Sequence, residues 1–151
     1  MRRSRPRRGS SLESPGVLDE HLVIPFERSF DAAYGLEYLG ADDDGIRGRV
    51  RVTPALCGPD GAVHSGIHFA IAESLASTGT ALEVVPQGLV PSGLSNSTHV
   101  LAAVRDGVLE AVARCRARGE LDWLWDVEIT GADGTLHAAS TVVIAVRPAR
   151  A

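Results

Sequence analysis

Residues 61–84 read Gly-Ala-Val-His-Ser-Gly-Ile-His-Phe-Ala-Ile-Ala-Glu-Ser-Leu-Ala-Ser-Thr-Gly-Thr-Ala-Leu-Glu-Val. Small and apolar side chains surround this stretch on every side, which predicts one long buried helix approached through a turn. Glu73 stands in its middle. A glutamate is rarely buried unless another group pairs with it or the chemistry uses it. Whatever covers this helix must therefore also accommodate that carboxylate.

Upstream, Ile46, Gly48, Val50 and Val52 alternate with Arg47, Arg49 and Arg51. Period two predicts a strand with one buried and one wet face. Asp42-Asp43-Asp44-Gly45 before it reads as a hairpin turn, since it lacks the spaced ligands of a calcium loop. Downstream of Pro86 to Pro91, four strands are expected at about 93–104, 107–118, 122–130 and 136–147, following one another as hairpins. Asp106-Gly107, Gly119 and Gly131-Ala132-Asp133-Gly134 separate them. Leu109, Ala111, Ala113, Cys115 and Ala117 share one face, as do Trp123, Trp125, Val127 and Ile129, while Asp126 and Glu128 point the other way. A strand, a long helix and four more strands make an α+β arrangement, a curved antiparallel sheet wrapped around one central helix.

Residues 18–40 are less legible. They hold a short apolar segment at Leu22-Val23-Ile24 and a weakly patterned stretch through Phe30, Tyr34, Leu36 and Tyr38. Residues 1–16, rich in Arg, Ser, Pro and Gly, read as a disordered basic tail, and 17–151 as a single domain. The net charge is −4, yet Arg2, Arg3, Arg5, Arg7 and Arg8 lie in the first eight residues, so the remainder carries −9. An acidic body argues against nucleic acid as a partner. No apolar run is long enough for a membrane span, and no apolar stretch follows the basic start as a secretory signal requires, so a cytoplasmic protein is expected. All fifteen basic residues are arginine, which excludes lysine chemistry. Cys57 and Cys115 form no metal or redox spacing, and His68, His99 and His137 are scattered, so no metal site is expected.

Val63-His64-Ser65-Gly66, followed by the helix with Glu73 and Ser77, resembles the active-site segment of the hot-dog thioesterases. It is most similar to the 4-hydroxybenzoyl-CoA thioesterase branch that uses a helix glutamate. The similarity continues through Ser95-Asn96-Ser97-Thr98, Trp123-Leu124-Trp125-Asp126-Val127 and Ala145-Val146-Arg147-Pro148-Ala149-Arg150. It implies a hydrolase of acyl or aroyl thioesters with no bound cofactor, coenzyme A entering only as part of the substrate. It also implies a homodimer or homotetramer with active sites at the subunit interface.

The residues bear on that chemistry themselves. Amides at the start of a helix lack intrahelical partners and sit at its positive end, so those of Ser65 and Gly66 are natural oxyanion donors. Glu73 and Ser77 are four apart and project from one face, where Ser77 can hold the carboxylate or a water. Glu73 serves as nucleophile or general base, and His64 shapes the turn. Ser65 and Glu73, on one helix, are separated by about 12 Å, too far to share one thioester. If both take part, they come from two antiparallel copies. The competing reading makes Glu73 a helix carboxylate that snorkels to solvent or pairs with an arginine such as Arg47.

Several positions depart from the family. Ser65 replaces the usual glycine and could itself cap the helix; Gly58 stands where relatives carry an assisting glutamine. Ala102 matches their nucleotide-binding arginine, and Glu120 and Leu121 match a hydroxylated pair. Arg150, with Arg147 nearby, is left as the phosphate contact. A weakened nucleotide grip keeps two alternatives open: an acyl-carrier-protein thioesterase, and a non-catalytic module that binds an acyl ligand.

Overall fold

The computed structural model describes residues 24–149. The basic tail, Leu22, Val23 and Arg150 lie outside them. A turn of 3-10 helix, Phe26–Arg28, leads to the one-turn helix α1, Phe30–Ala33, capped by the Ser29 hydroxyl. Strand β1, Leu36–Asp42, passes through Asp43 and Asp44 into β2, Gly45–Arg51. The Asp42 carboxylate accepts from the Asp44 amide at 2.9 Å, so this Asp-Gly stretch is the hairpin its sequence predicts. Helix α2 spans Ser65–Val84. Strands β3, Leu89–Val100, β4, Val108–Arg118, β5, Asp122–Gly131, and β6, Leu136–Pro148, follow.

The six strands form one antiparallel sheet in the order β1-β2-β4-β5-β6-β3, against which α2 packs. The α+β class is as expected, with two corrections. The poorly patterned stretch before the first hairpin contains β1, whose register shifts between Tyr38 and Gly40, where Gly40 adopts φ +120°. That irregularity breaks the alternation that would have revealed a strand. The last four strands are not all consecutive hairpins. β3 begins at Leu89, runs through Pro91 and pairs with β6 rather than β4. The connection after Val100 first continues along β6, the Leu101 amide donating to the His137 carbonyl at 2.8 Å, and then meets the approach to α2, where the Val104 carbonyl accepts from the Val63 amide at 2.7 Å. This carries the chain across to β4 and leaves β3 at the sheet edge.

One face of α2 builds the core. Ile71, Ala72, Leu75 and Ala76 are fully buried with Val50, Leu109, Val127, Ile129, Val142 and Ile144. At Gly79 the helix touches Trp125, where a Cβ would lie 2.5 Å from the indole ring. The buried indole N–H donates to Thr80 Oγ1 at 3.0 Å, and that hydroxyl donates to the Ala76 carbonyl at 2.9 Å. A second flank is fastened through Asp31, whose carboxylate accepts from Ser74 Oγ at 2.6 Å and Tyr38 OH at 2.8 Å. Burial, reinforced by the Asp31 charge, holds the Tyr34 and Tyr38 phenols above their ordinary range, so both stay hydroxyl donors.

The helix is not buried all round. His64, Ser65, Gly66 and Phe69 are exposed, and Glu73 and Ser77 are half-buried. Its Ala, Gly, Ser and Thr residues, which suggested burial on every side, also suit a close-packed boundary. On the sheet's outer face, Arg49 pairs with Glu37 at 2.8 Å, Arg114 with Glu128 at 3.2 Å and Arg116 with Asp126 at 3.2 Å. Such exposed pairs contribute little stability; it is the period-two alternation of β5 that turns its acids outward, where these arginines meet them. Among the described residues, no helix is long and apolar enough to cross a membrane.

Candidate active site

The approach to α2 is tightly organised. The Gly58 amide donates to the Ala62 carbonyl at 2.7 Å, and the His64 amide to the Leu56 carbonyl at 2.8 Å. Gly61, at φ +77°, completes the turn. The helix cap is His64 rather than Ser65: its Nδ1 accepts from the Gly66 amide at 3.0 Å, and Ser65 is the first helical residue. An imidazole nitrogen two residues upstream reaches this amide as a short cap side chain does, and the Ser65 hydroxyl has no partner among the described residues. Of the two expected oxyanion donors, the Gly66 amide is thus satisfied internally. The exposed Ser65 amide has no acceptor among the described residues.

Glu73 lies along the same helix and meets β3. Ser77 Oγ donates to Glu73 Oε1 at 3.3 Å, the i, i+4 pairing the sequence predicts. Asn96 Nδ2 lies 3.4 Å from Glu73 Oε2 and donates to the Phe69 carbonyl at 3.0 Å. On its remaining side the carboxylate is pressed against Gly93, where an added Cβ would overlap Oε1. No cation pairs with Glu73 among the described residues. Arg47, the competing partner, instead reaches Asp42 at 3.7 Å and Asp44 at 3.8 Å.

Gly93 and Asn96 both contact Glu73 because β3 carries a bulge. Its register against β6 shifts between Gly93 and Ser95, with Leu94 as the extra residue. Before the bulge Leu89 and Pro91 are the partly covered positions; after it Asn96 and Thr98 are. The bulge inverts the phase of the strand, so an odd and an even position face the same helix. Neither residue carried a role in the sequence reading. The available signal was a glycine inside a strand, which marks a bulge or a close backbone approach.

The other sequence-derived positions stand apart from Glu73. Arg147, exposed on β6, donates to the Leu121 and Val146 carbonyls and to Asp122 Oδ1 at 3.2 Å, so its guanidinium is engaged by the β4–β5 turn. Glu120 is exposed on that turn. The Ala102 carbonyl lies 3.2 Å from His137 Nδ1. His68 is only 1% exposed, and neither ring nitrogen has a hydrogen-bond partner. Burial holds its pKa below the ordinary 6.5, favouring the neutral ring. Among the described residues, no group of three or more His, Cys, Asp or Glu side chains is placed to hold a metal.

No family model matches the chain. Individual relatives do. Rv1847 of Mycobacterium tuberculosis, an inferred esterase, is 31% identical over 122 residues, which cover 80% of this chain and 83% of that protein. Its solved structure superposes with a TM-score of 0.76, covering 81% of this chain and 98% of that one. The thioesterase PA1618 of Pseudomonas aeruginosa, solved as a point mutant, is 28% identical with a TM-score of 0.79, covering 82% of this chain and 88% of that one. A 1,4-dihydroxy-2-naphthoyl-CoA hydrolase of Listeria monocytogenes is 28% identical over 116 residues, covering 77% of this chain and 94% of the hydrolase.

Proposed function

Because the chain belongs to the hot-dog thioesterase family, we propose that it hydrolyses an acyl or aroyl thioester of coenzyme A, using Glu73. The observation that carries this reading is the setting of Glu73. Neutral donors, Ser77 and Asn96, orient the carboxylate, and no cation neutralises it among the described residues. A carboxylate oriented by neutral donors and facing no cation is free to act on an electrophile or on a water.

Two routes use it. In the first, a Glu73 oxygen bonds to the thioester carbon, the C–S bond breaks and the thiolate leaves; water then cleaves the mixed anhydride and restores the carboxylate. In the second, Glu73 takes a proton from water as the hydroxide adds to the same carbon, and that proton passes to the departing thiolate. Either route puts charge on the carbonyl oxygen, for which the Ser65 amide at a helix N-terminus is the donor. About 12 Å of helix separates Ser65 from Glu73, so the donor comes from a second copy, in a homodimer or a homotetramer built from such dimers. The nucleotide is held loosely: Arg147 is engaged by Leu121 and Asp122, leaving Arg150 as the phosphate contact. A loose grip also fits an acyl group on a carrier protein, which shares the pantetheine arm.

The test is thiol release from a panel of aromatic and aliphatic acyl-CoAs and acyl-carrier proteins, comparing wild type with Glu73→Gln. Turnover of at least one thioester by wild type, lost in the variant, is expected. No turnover on any member, or equal turnover by the variant, would sink the reading.

A further inference from the structure

We infer that Asn96 is a positioning residue for Glu73, its amide oriented by the Phe69 carbonyl and backed by a chain of hydroxyls running through Thr98 to Ser140. The inference rests on the proposed role of Glu73 and adds what holds that carboxylate in place.

An asparagine amide has a donor end and an acceptor end, and its neighbours here decide which faces the helix. The Phe69 carbonyl and Glu73 Oε2 lie on one side of Asn96, at 3.0 and 3.4 Å, and both can only accept. The reversed amide would set its oxygen against two oxygens. Nδ2 therefore faces α2, and Oδ1 faces Thr98 Oγ1 at 2.7 Å. Since Oδ1 only accepts, Thr98 spends its one proton there. Thr98 must then accept from Ser140 Oγ, also at 2.7 Å. Donation runs in one direction, Ser140 to Thr98 to Asn96 to Glu73, and hydrogen bonds aligned this way strengthen one another.

The chain is anchored in the sheet. Thr98 and Ser140 are directly opposed residues of β3 and β6, and Ser140 is 6% exposed. Asn96 lies two residues along the same face. The bulge at Leu94 supplies the phase that turns this face toward α2. Of the two donors on Glu73, Ser77 belongs to the same helix, whereas Asn96 ties the carboxylate to another element. The 3.4 Å separation is long, and contacts of this kind shorten when substrate is bound.

The experiment combines kinetics with a signal independent of turnover. Asn96→Ala should lower kcat about tenfold with KM changed less than about twofold, as loss of a hydrogen bond to a charged group predicts. Asn96→Asp, nearly the same shape, should be worse still, because it opposes two carboxylates. Thr98→Val should lower kcat about threefold in the wild-type background and not at all in Asn96→Ala, since the hydroxyl acts only through the amide. In 15N-labelled protein, the side-chain NH2 resonance missing from Asn96→Ala should shift in Glu73→Gln and in Thr98→Val. A resonance unmoved by Glu73→Gln, or a Thr98→Val effect undiminished in Asn96→Ala, overturns the inference. If wild type turned over no thioester, the reading of Glu73 would fall, and the amide resonance would still decide whether the contact exists.

Discussion

A Cβ added to Gly93 would overlap Oε1 of Glu73 and stand 2.9 Å from its carboxyl carbon. The carboxylate thus occupies the space of an absent side chain on the edge strand. Helix α2 supplies the acid and β3 supplies the vacancy, so neither makes the site alone.

Gly93→Ala should therefore displace Glu73 rather than merely crowd it. Turnover is expected to fall about a hundredfold, comparable to misplacing a reacting group by an ångström. Thermal denaturation should register only the about 1–3 kcal/mol of an overpacked contact. Wild-type kcat in this variant would mean that Glu73 acts from some other position.

Ser65→Pro isolates the proposed oxyanion donor. Proline is welcome at the first helical position, and His64, at φ −61° and ψ 134°, already has the extended backbone that a following proline requires. The substitution removes the amide N–H at little structural cost. A loss in kcat of about a hundredfold or more is expected, while Ser65→Ala, which keeps the N–H, should stay near wild type. Inactive Ser65→Pro and Glu73→Gln chains, mixed and reassociated, should regain activity at about a quarter of the sites, because a mixed dimer contains one intact pairing. No recovery on mixing, in a sample shown to exchange subunits, would place both groups in the same chain.

Thr80→Val preserves shape but leaves the Trp125 indole N–H buried without a partner. The expected cost is about 1–3 kcal/mol in urea unfolding followed by tryptophan fluorescence. Turnover well below the melting temperature should be unchanged, since this contact lies on the core side of α2.

His68 should make stability depend on pH. Burial lowers its folded-state pKa below the ordinary 6.5, so between those two values the unfolded chain binds more protons than the folded one. The stabilising contribution is therefore complete above pH 6.5 and declines as the pH falls through that value toward the folded-state pKa. Unfolding measured at about pH 8 and about pH 5.5 should show wild type losing more stability on acidification than His68→Leu. Equal losses would remove His68 as the cause.

Much of this was legible in the chain itself. Period-two alternation marked the buried faces of β2 and β5 and that of β4 as far as Cys115, beyond which a register shift turns Ala117 out to solvent, against the expected face; the i, i+4 spacing correctly joined Ser77 to Glu73. These are local signals, set by which side chains must leave water and by helix geometry. The sequence alone thus determined an α+β chain with one long helix and a carboxylate at its centre. Strand order and strand phase are another matter. β3 sits beside β6 because long-range backbone pairing fixes it there, and no residue within it names that neighbour. One extra residue, Leu94, then inverts the strand and turns both Gly93 and Asn96 toward Glu73. The capping of Gly66 by His64 is likewise a matter of which acceptor reaches the amide first in space. Composition and periodicity record burial; which groups meet is decided only when distant segments pair, and there the tertiary structure placed the partners of Glu73.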